Sequence, residues 1–552
     1  MADDNPPRPH PADTKAPPAS PPSATAAASP APSAATSSRF RVGPRALKLL
    51  WDGHSVAGVV IGLGLFVIFF AGAFALYRGE LHQWADPALR SASTEVASAD
   101  ALIAPLLDAR PPAQGTELLF VYPFANRPYA YLGYETETGD EVRQWINPAT
   151  AETLPALGRS ALSDLLYHLH FYYQLGVAGE LLSGLVAEFF LFVLISGLLI
   201  HLRNLPKDLH TFRSQKGLRV ALTDAHNVLG TIGLPFTVMY AVTGAFFSLL
   251  TVILAPYVLV VFDGDRSAVE GLSEGIEMPA VEPTGRAAPM PSLDQLAREV
   301  SADWPEDFSW ISYQVHGWGD EAAVAVLRGD QEGSLTRTGA AVVEIESGRV
   351  LSISEPANTP PLPATISAFG KLHFARFGGP VLKALFFLLT LAACAVILTG
   401  NLLWIEIRRP SQGPAPRLHR VLARLTAGVG AGLVAAVPIL FLTTRAVPLE
   451  VDGRMAIENA AFFGSWALLI GAAFFGSSAA RAAQWQLALA GGLSLLVPLA
   501  NGMGTGAWPW VSASQGTRAV FGVDVGFALG GVLVLALAAR LQPSSKLASS
   551  LG

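Results

Sequence analysis

Eight apolar runs punctuate this chain, at about 54–77, 178–201, 227–257, 380–405, 422–443, 458–477, 485–501 and 519–540. Each is near the roughly 20 residues that cross a bilayer as a helix. The third is longer than one bilayer thickness and is expected to tilt or to end near Pro256; the seventh is the shortest. Between runs one and two, and between runs three and four, the pattern changes to alternation. ELLFVYPF, YAYLGYET and VRQWINPATAETL in residues 78–169 read as strands, as do FSWISYQV, AAVAVLRG and AAVVEIESGRVLSIS in residues 258–365. Ser292 to Val300 (SLDQLAREV) reads as a short helix. The expected fold class is a polytopic all-α membrane protein of about eight helices with two small α+β extracytoplasmic domains, one per long loop.

Composition agrees. The 552 residues are 51% hydrophobic and 14% charged, with a mean hydropathy of +0.40. The one cysteine, Cys394, lies in an apolar run, which excludes a disulfide framework, a cysteine-ligated cluster and the CxxCH attachment of c-type haem. Residues 1–38 are mostly Pro, Ala, Ser and Thr and read as a disordered cytoplasmic tail; 543–552 read as a second one. Lys and Arg concentrate before the first run (Arg39, Arg41, Arg45, Lys48), after the second (Arg203, Lys207, Arg213, Lys216, Arg219) and after the fourth (Arg408, Arg409, Arg417, Arg420, Arg424). The positive-inside rule then puts these segments and both termini in the cytoplasm of a bacterial inner-membrane protein. The loops 78–169 and 258–365 contain no lysine and face the periplasm. No nucleic-acid partner is expected; membrane lipid is.

Four histidines fall into a duplicated pattern. His54 and His226 each open an apolar helix and are followed by glycine four residues on (Gly58, Gly230) and eighteen on (Gly72, Gly244). His170 and His373 each precede the next apolar helix, with glycine six residues on (Gly176, Gly379) and twenty-seven on (Gly197, Gly400). Eighteen residues make five helical turns and about 27 Å of rise, so Gly72 shares a face with His54 at the other membrane level. His54 and His226 pair at the cytoplasmic level, His170 and His373 at the outer one. Two bis-imidazole haems b, bound non-covalently and stacked across the bilayer, would need this arrangement of iron ligands. Bare backbone at Gly58, Gly230, Gly72 and Gly244 would let a porphyrin approach. The competing account is duplication of histidines with a purely structural role.

Other residues weigh less. His168 rivals His170. His201 breaks the repeat, because its counterpart is Trp404; His419 opens the fifth run. His10, His82, His210 and His316 read as surface residues. Arg376, with Lys371 and Lys383 nearby, is a candidate for pairing with haem propionates; Arg45, Lys48 and Arg219 are the cytoplasmic equivalents, although interfacial snorkelling explains such cations equally. Glu188 stands mid-way along the second run and Asp524 in the last; an intramembrane carboxylate is a functional candidate by default. GVGAG (428–432) lies in a span and GMGTG (502–506) in an outer loop, so neither is a nucleotide fingerprint.

Three segments carry a family resemblance. LYHLHFYYQLGVAGELLSGLVAEFFLFVLISGLLIHL, TDAHNVLGTIGLPFTVMYAVTGAFF and LHFARFGGPVLKALFFLLTLAACAVILTGNLLWIEIRR resemble conserved stretches of the PepSY-associated transmembrane family, over about residues 45–410. The chain departs from that pattern at Asn227, where the family often has Arg, and at His201, where it has an aromatic residue. The resemblance implies a four-helix core carrying two b haems, with PepSY-like domains outside and ligands at His54, His226, His170 and His373. It also implies similarity to inner-membrane reductases of iron acquisition, which pass electrons to ferric siderophores. Organisation then follows: 45–257 hold the first repeat's helices, the first outer domain (78–169) and the third helix. The second PepSY-like domain is 258–365, the fourth helix 366–410, and four additional helices lie in 415–542.

The expected function is an oxidoreductase that passes electrons from quinol or a cytosolic donor to a periplasmic ferric chelate. Alternatives are a non-redox PepSY protein that binds or regulates a periplasmic protease, and a transporter using Glu188 as its proton site.

Overall fold

The computed structural model describes residues 43–541 apart from 91–95, 125–127, 155–158, 203–212, 214–215, 264–265, 280 and 411–412. The expected tails, with His10, Arg39, Arg41, Arg203, Lys207 and His210, lie outside the described residues. Among the described residues, eight helices are long and apolar enough to cross a membrane.

Helix α1 (Pro44–Ala75) begins with proline in its first turn, where the missing N–H costs nothing. It is followed by α2 (Arg78–Ala85), α3 (Ala99–Ala109), α4 (Leu162–Leu169) and the second span α5 (Val177–His201). The third apolar run is not one helix. It divides into α6 (Leu218–Ile232) and α7 (Leu234–Pro256) at Gly233, just before Pro235, whose ring opposes helix in the preceding residues. The span proper is Leu234–Val261, so His226 sits on a separate helix ahead of it. Further on come α8 (Arg266–Glu274), α9 (Leu293–Val300), α10 (Pro361–His373) and the fourth span α11 (Gly379–Ile407). α1 packs on α5 and α11, α5 on α7, and α11 on α6, which closes a four-helix bundle.

The expectation of two separate outer domains is corrected. The two long loops build one eight-stranded antiparallel sheet, in the order β4-β3-β2-β1-β5-β6-β7-β8. Strands β1 (Leu118–Val121), β2 (Ala130–Glu135), β3 (Glu141–Ile146) and β4 (Thr153–Leu154) come from the first loop. Strands β5 (Phe308–His316), β6 (Val324–Gln331), β7 (Thr338–Glu344) and β8 (Val350–Ser354) come from the second. The halves join where β1 pairs with β5, from Leu118 opposite Val315 to Val121 opposite Ser312. Separate domains would have left both strands as unpaired edges. One face buries Phe120, Leu132, Tyr313 and Leu327 against Leu102 of α3 and Leu296 of α9. These helices cap each other. The Asp294 carboxylate accepts from the N–H groups of Ala99 (3.1 Å) and Asp100 (2.9 Å), and that of Asp100 accepts from Leu293 (3.0 Å) and Asp294 (3.3 Å).

The last four spans are α12 (Arg417–Leu425) running through a π turn (Thr426–Ala431) into α13 (Gly432–Ala446), α14 (Arg454–Phe475), α15 (Ala479–Thr505) and, after the short α16 (Pro509–Ser514), α17 (Arg518–Arg540). GVGAG therefore lies largely in the π turn. GMGTG is not a loop: it is the last turn of α15, ended by left-handed Gly506. Polar groups fasten these spans to the bundle. Buried Asp524 accepts from the Trp84 indole and the Asn501 amide, both at 2.8 Å. The Arg445 guanidinium lies 3.8 Å from the centre of the Trp84 ring and donates to the carbonyls of Trp84 and Ala85 and to Asn501. Glu458, fully buried, pairs with Arg454 at 3.0 Å and accepts from the Ser160 hydroxyl and the Ala161 N–H ahead of α4.

Asp524 is thus a clamp between elements 440 residues apart in sequence. Asp524→Ala leaves an indole N–H and an amide without their buried carboxylate. We expect a loss of about 3 kcal/mol or more, read as a lower thermal midpoint of the detergent-solubilised protein; an unchanged midpoint would remove the clamp role.

Candidate functional site

The four histidines of the repeat meet in two pairs. The ring centres of His54 and His226 are 6.2 Å apart, and those of His170 and His373 are 5.9 Å apart. Each pair lines its own cavity inside the bundle, of about 340 Å³. The cavity with His54 and His226 is at the end bearing the Lys- and Arg-rich segments and is here called basal; the other is beneath the sheet. Leu65 and Phe190 line both, so one layer of side chains separates them.

Local backbone positions the sheet-side pair. Two residues after each histidine the chain turns through a left-handed residue, Tyr172 (φ 57°) and Ala375 (φ 52°). Gly176 (φ 62°) and Gly379 (φ 64°) complete the turn into α5 and α11. The glycine six residues after each histidine is therefore there for backbone conformation.

The longer glycine offsets answer to packing. A methyl group on Gly197 would lie 3.0 Å from the His54 ring, and one on Gly400 3.0 Å from His226. One on Gly72 would lie 2.7 Å from the His170 ring, while at Gly244 the contact to His373 is an ordinary 3.8 Å. These glycines make room for a neighbouring helix's imidazole, a role that spacing alone did not reveal. Gly58 has open space before it, and Gly230 meets only Val396 at 3.8 Å. Gly58 and Gly230 line the basal cavity, and Gly72 and Gly244 the sheet-side one.

Each imidazole is held through Nδ1. His54 reaches the Val193 carbonyl (3.0 Å) and Ser196 Oγ (3.2 Å), His226 the Val396 carbonyl (3.0 Å), and His170 the Ile68 carbonyl (2.7 Å). A carbonyl only accepts, so in these three Nδ1 carries the proton. His373 Nδ1 is 2.8 Å from Thr243 Oγ, whose own proton goes to the Met239 carbonyl, so Nδ1 donates here too. All four rings then keep the Nε2 lone pair free, which is the form a metal takes, with the second nitrogen anchored. Burial holds His170 below its ordinary pKa, and burial with the adjacent His170 pushes His373 down to about 3, so this pair is neutral.

Residues 51–406 match the family model for the PepSY-associated TM region. The chain belongs to that family. It is also similar to the uncharacterised protein PA4219 of Pseudomonas aeruginosa, at 30% identity over 326 residues, which are 56% of this chain and 80% of that protein. The PepSY-associated match ends before α12, so the four C-terminal spans lie beyond it.

The remaining candidates fall as follows. Within this PepSY-associated core His170, not His168, lines the sheet-side cavity; His168 lies against Tyr173 with ring centres 4.7 Å apart. His201 and Trp404 both line the basal cavity, and His419 meets the Trp404 ring at 5.2 Å. His82 is not a surface residue: it is buried, 3.5 Å from Asp164. Burial would raise the Asp164 carboxyl, but His82 and Arg78 hold it well below the usual carboxylate range. Lys371 and Lys383 face Asp330 (3.4 Å) and Glu80 (2.6 Å). Arg376 lines neither of the two histidine cavities; its guanidinium lies 5.3 Å from the centre of the Phe374 ring, which lines the sheet-side one. Glu188 is exposed on the outer side of α5, away from both cavities.

The contrast among glycines is testable. Gly72→Val drives a side chain into the His170 ring and should destabilise by about 1–3 kcal/mol. Gly464→Ala, facing open space in mid-helix and outside both cavities, should be neutral or slightly stabilising. Thermal unfolding of both variants in detergent measures the difference; equal effects would overturn the packing account.

Proposed function

We propose that this PepSY-associated protein is a transmembrane di-haem b electron-transfer protein, with one haem between His54 and His226 and one between His170 and His373. The single observation that carries the reading is the spacing of the two imidazole pairs. Metal–imidazole bonds are about 2.0 Å and the ring centre lies about 1.1 Å behind the nitrogen, so two imidazoles holding one metal between them would have centres about 6.2 Å apart. The pairs stand at 6.2 and 5.9 Å. Anchored Nδ1–H groups and the bare backbone at Gly58 and Gly230 support the same fit.

Bound there, each haem would supply reversible one-electron chemistry. The chain's own residues orient the imidazoles, exclude water with Leu65, Phe69, Phe190 and Tyr240, and separate the two sites by one side-chain layer. The Lys- and Arg-rich segments at the basal end support, by the positive-inside rule, a reading with that end in the cytoplasm of a bacterial inner membrane and the sheet in the periplasm. Outward electron movement is then favoured by about 2.3 kcal/mol per 100 mV of membrane potential. The donor in this reading is quinol or a cytosolic reductant, and the acceptor a ferric siderophore or other ferric chelate at the acidic sheet domain.

Purified protein should show a b-type α-band in a reduced-minus-oxidised spectrum and two haems per chain. His54→Ala and His226→Ala should each lose the same single haem, and His170→Ala and His373→Ala the other. Doubling within a pair should cost nothing further, whereas one change from each pair should remove both. A folded chain without haem, expressed with haem in supply, would sink the reading.

A further inference from the structure

We propose that Arg219 and Arg408 form a two-point anchor for the carboxylate groups of the cofactor in the basal cavity, turning its acidic edge toward the basic end of the bundle. The inference rests on the di-haem reading and deepens it. Arg219 comes from α6 and Arg408 from α11, two helices that pack together, and both line the cavity holding His54 and His226. Neither has a carboxylate partner among the described residues. That sets them apart from Lys371, Lys383 and Arg213, which face Asp330, Glu80 and Asp224. Arg408 lies 4.6 Å from the centre of the Trp404 ring, which holds its planar fork at the cavity mouth. Two cations at one cavity, without a counter-charge, favour a dianion there, and guanidinium groups match carboxylates with paired hydrogen bonds.

A second observation points to a ligand in the same cavity. Asn401 is only 6% exposed and lines the basal cavity against Gly62, and its side-chain amide makes no hydrogen bond to another described residue. Its counterpart in the first repeat is Leu198, one residue after Gly197 as Asn401 is one after Gly400. A buried amide without a partner is costly, so a polar group in the cavity is what its retention requires. The sheet-side cavity is different: among the described residues its lining includes Glu180 and no lysine or arginine. The two sites thus treat the acidic edge of the same cofactor differently.

The test compares haem with its dimethyl ester, in which both carboxylates are blocked. Full-length protein produced without haem is reloaded with each, and occupancy of the basal site is read by absorption, with His54→Ala marking the sheet-side signal. In wild type we expect free-acid haem to bind the basal site at least about tenfold more tightly than the ester. In Arg219→Gln/Arg408→Gln the preference should fall to about twofold or less, with the sheet-side site still filled as proof of folding. Arg219→Lys/Arg408→Lys should retain part of it. Equal binding of acid and ester in wild type, or a preference that survives loss of both arginines, overturns the anchor while leaving the di-haem reading standing. A wild-type chain that takes up neither compound overturns both.

Discussion

The bundle depends on one contact made repeatedly: an imidazole from one helix laid against a glycine of its neighbour. His54 lies against Gly197, His226 against Gly400, and His170 against Gly72, each closer than a methyl group would allow without movement. Each helix pair is therefore locked in register by its own histidine and its partner's glycine. The same contact brings Nδ1 within reach of a backbone carbonyl, which the helix leaves available to a second donor. Packing and metal-ready orientation are thus one constraint.

Duplication of the unit supplies the rest of the architecture. Two half-sheets, each with an open first strand, pair through β1 and β5, and the aspartates of α3 and α9 cap one another across the join. Neither half is complete alone. The sheet therefore holds the sheet-side ends of both repeats together next to the sheet-side histidine pair. The C-terminal spans attach to this unit by a different means. Asp524, Asn501, Arg445 and Glu458 reach the segments around Trp84 and Ser160, and buried polar groups of this kind specify one docking geometry because every alternative leaves them unpaired.

The repeat is symmetric in its histidines and asymmetric in its charges. Basal-cavity residues include Arg219, Arg408 and Asn401; sheet-side residues include Glu180 instead. Position 401 shows how small the sequence difference is: an amide in one repeat, a leucine at 198 in the other. Electrostatic environment is a principal lever on a redox group, so two sites built from one duplicated unit need not behave alike.

The sequence by itself determined the eight spans, the strand-bearing character of both long loops and the four histidines with their glycine spacings. These are legible because apolar length, alternation and repeat offset are local properties of the chain. It did not determine that α6 and α7 part at Gly233, that GMGTG ends a helix, or that the two loops form a single sheet, since edge pairing joins residues nearly 200 positions apart. It misassigned His82, which burial beside Asp164 removes from the surface. It suggested that Gly72 and Gly244 admit a porphyrin, while Gly72 is filled first by an imidazole. Only the tertiary structure put His170 rather than His168 at the sheet-side cavity, made Asp524 a clamp and gathered Arg219, Arg408 and Asn401 at one cavity. The reason is common to all of these: which side chain faces a cavity, a partner or lipid is set by how helices rotate against one another, and that rotation is written in contacts distant in sequence.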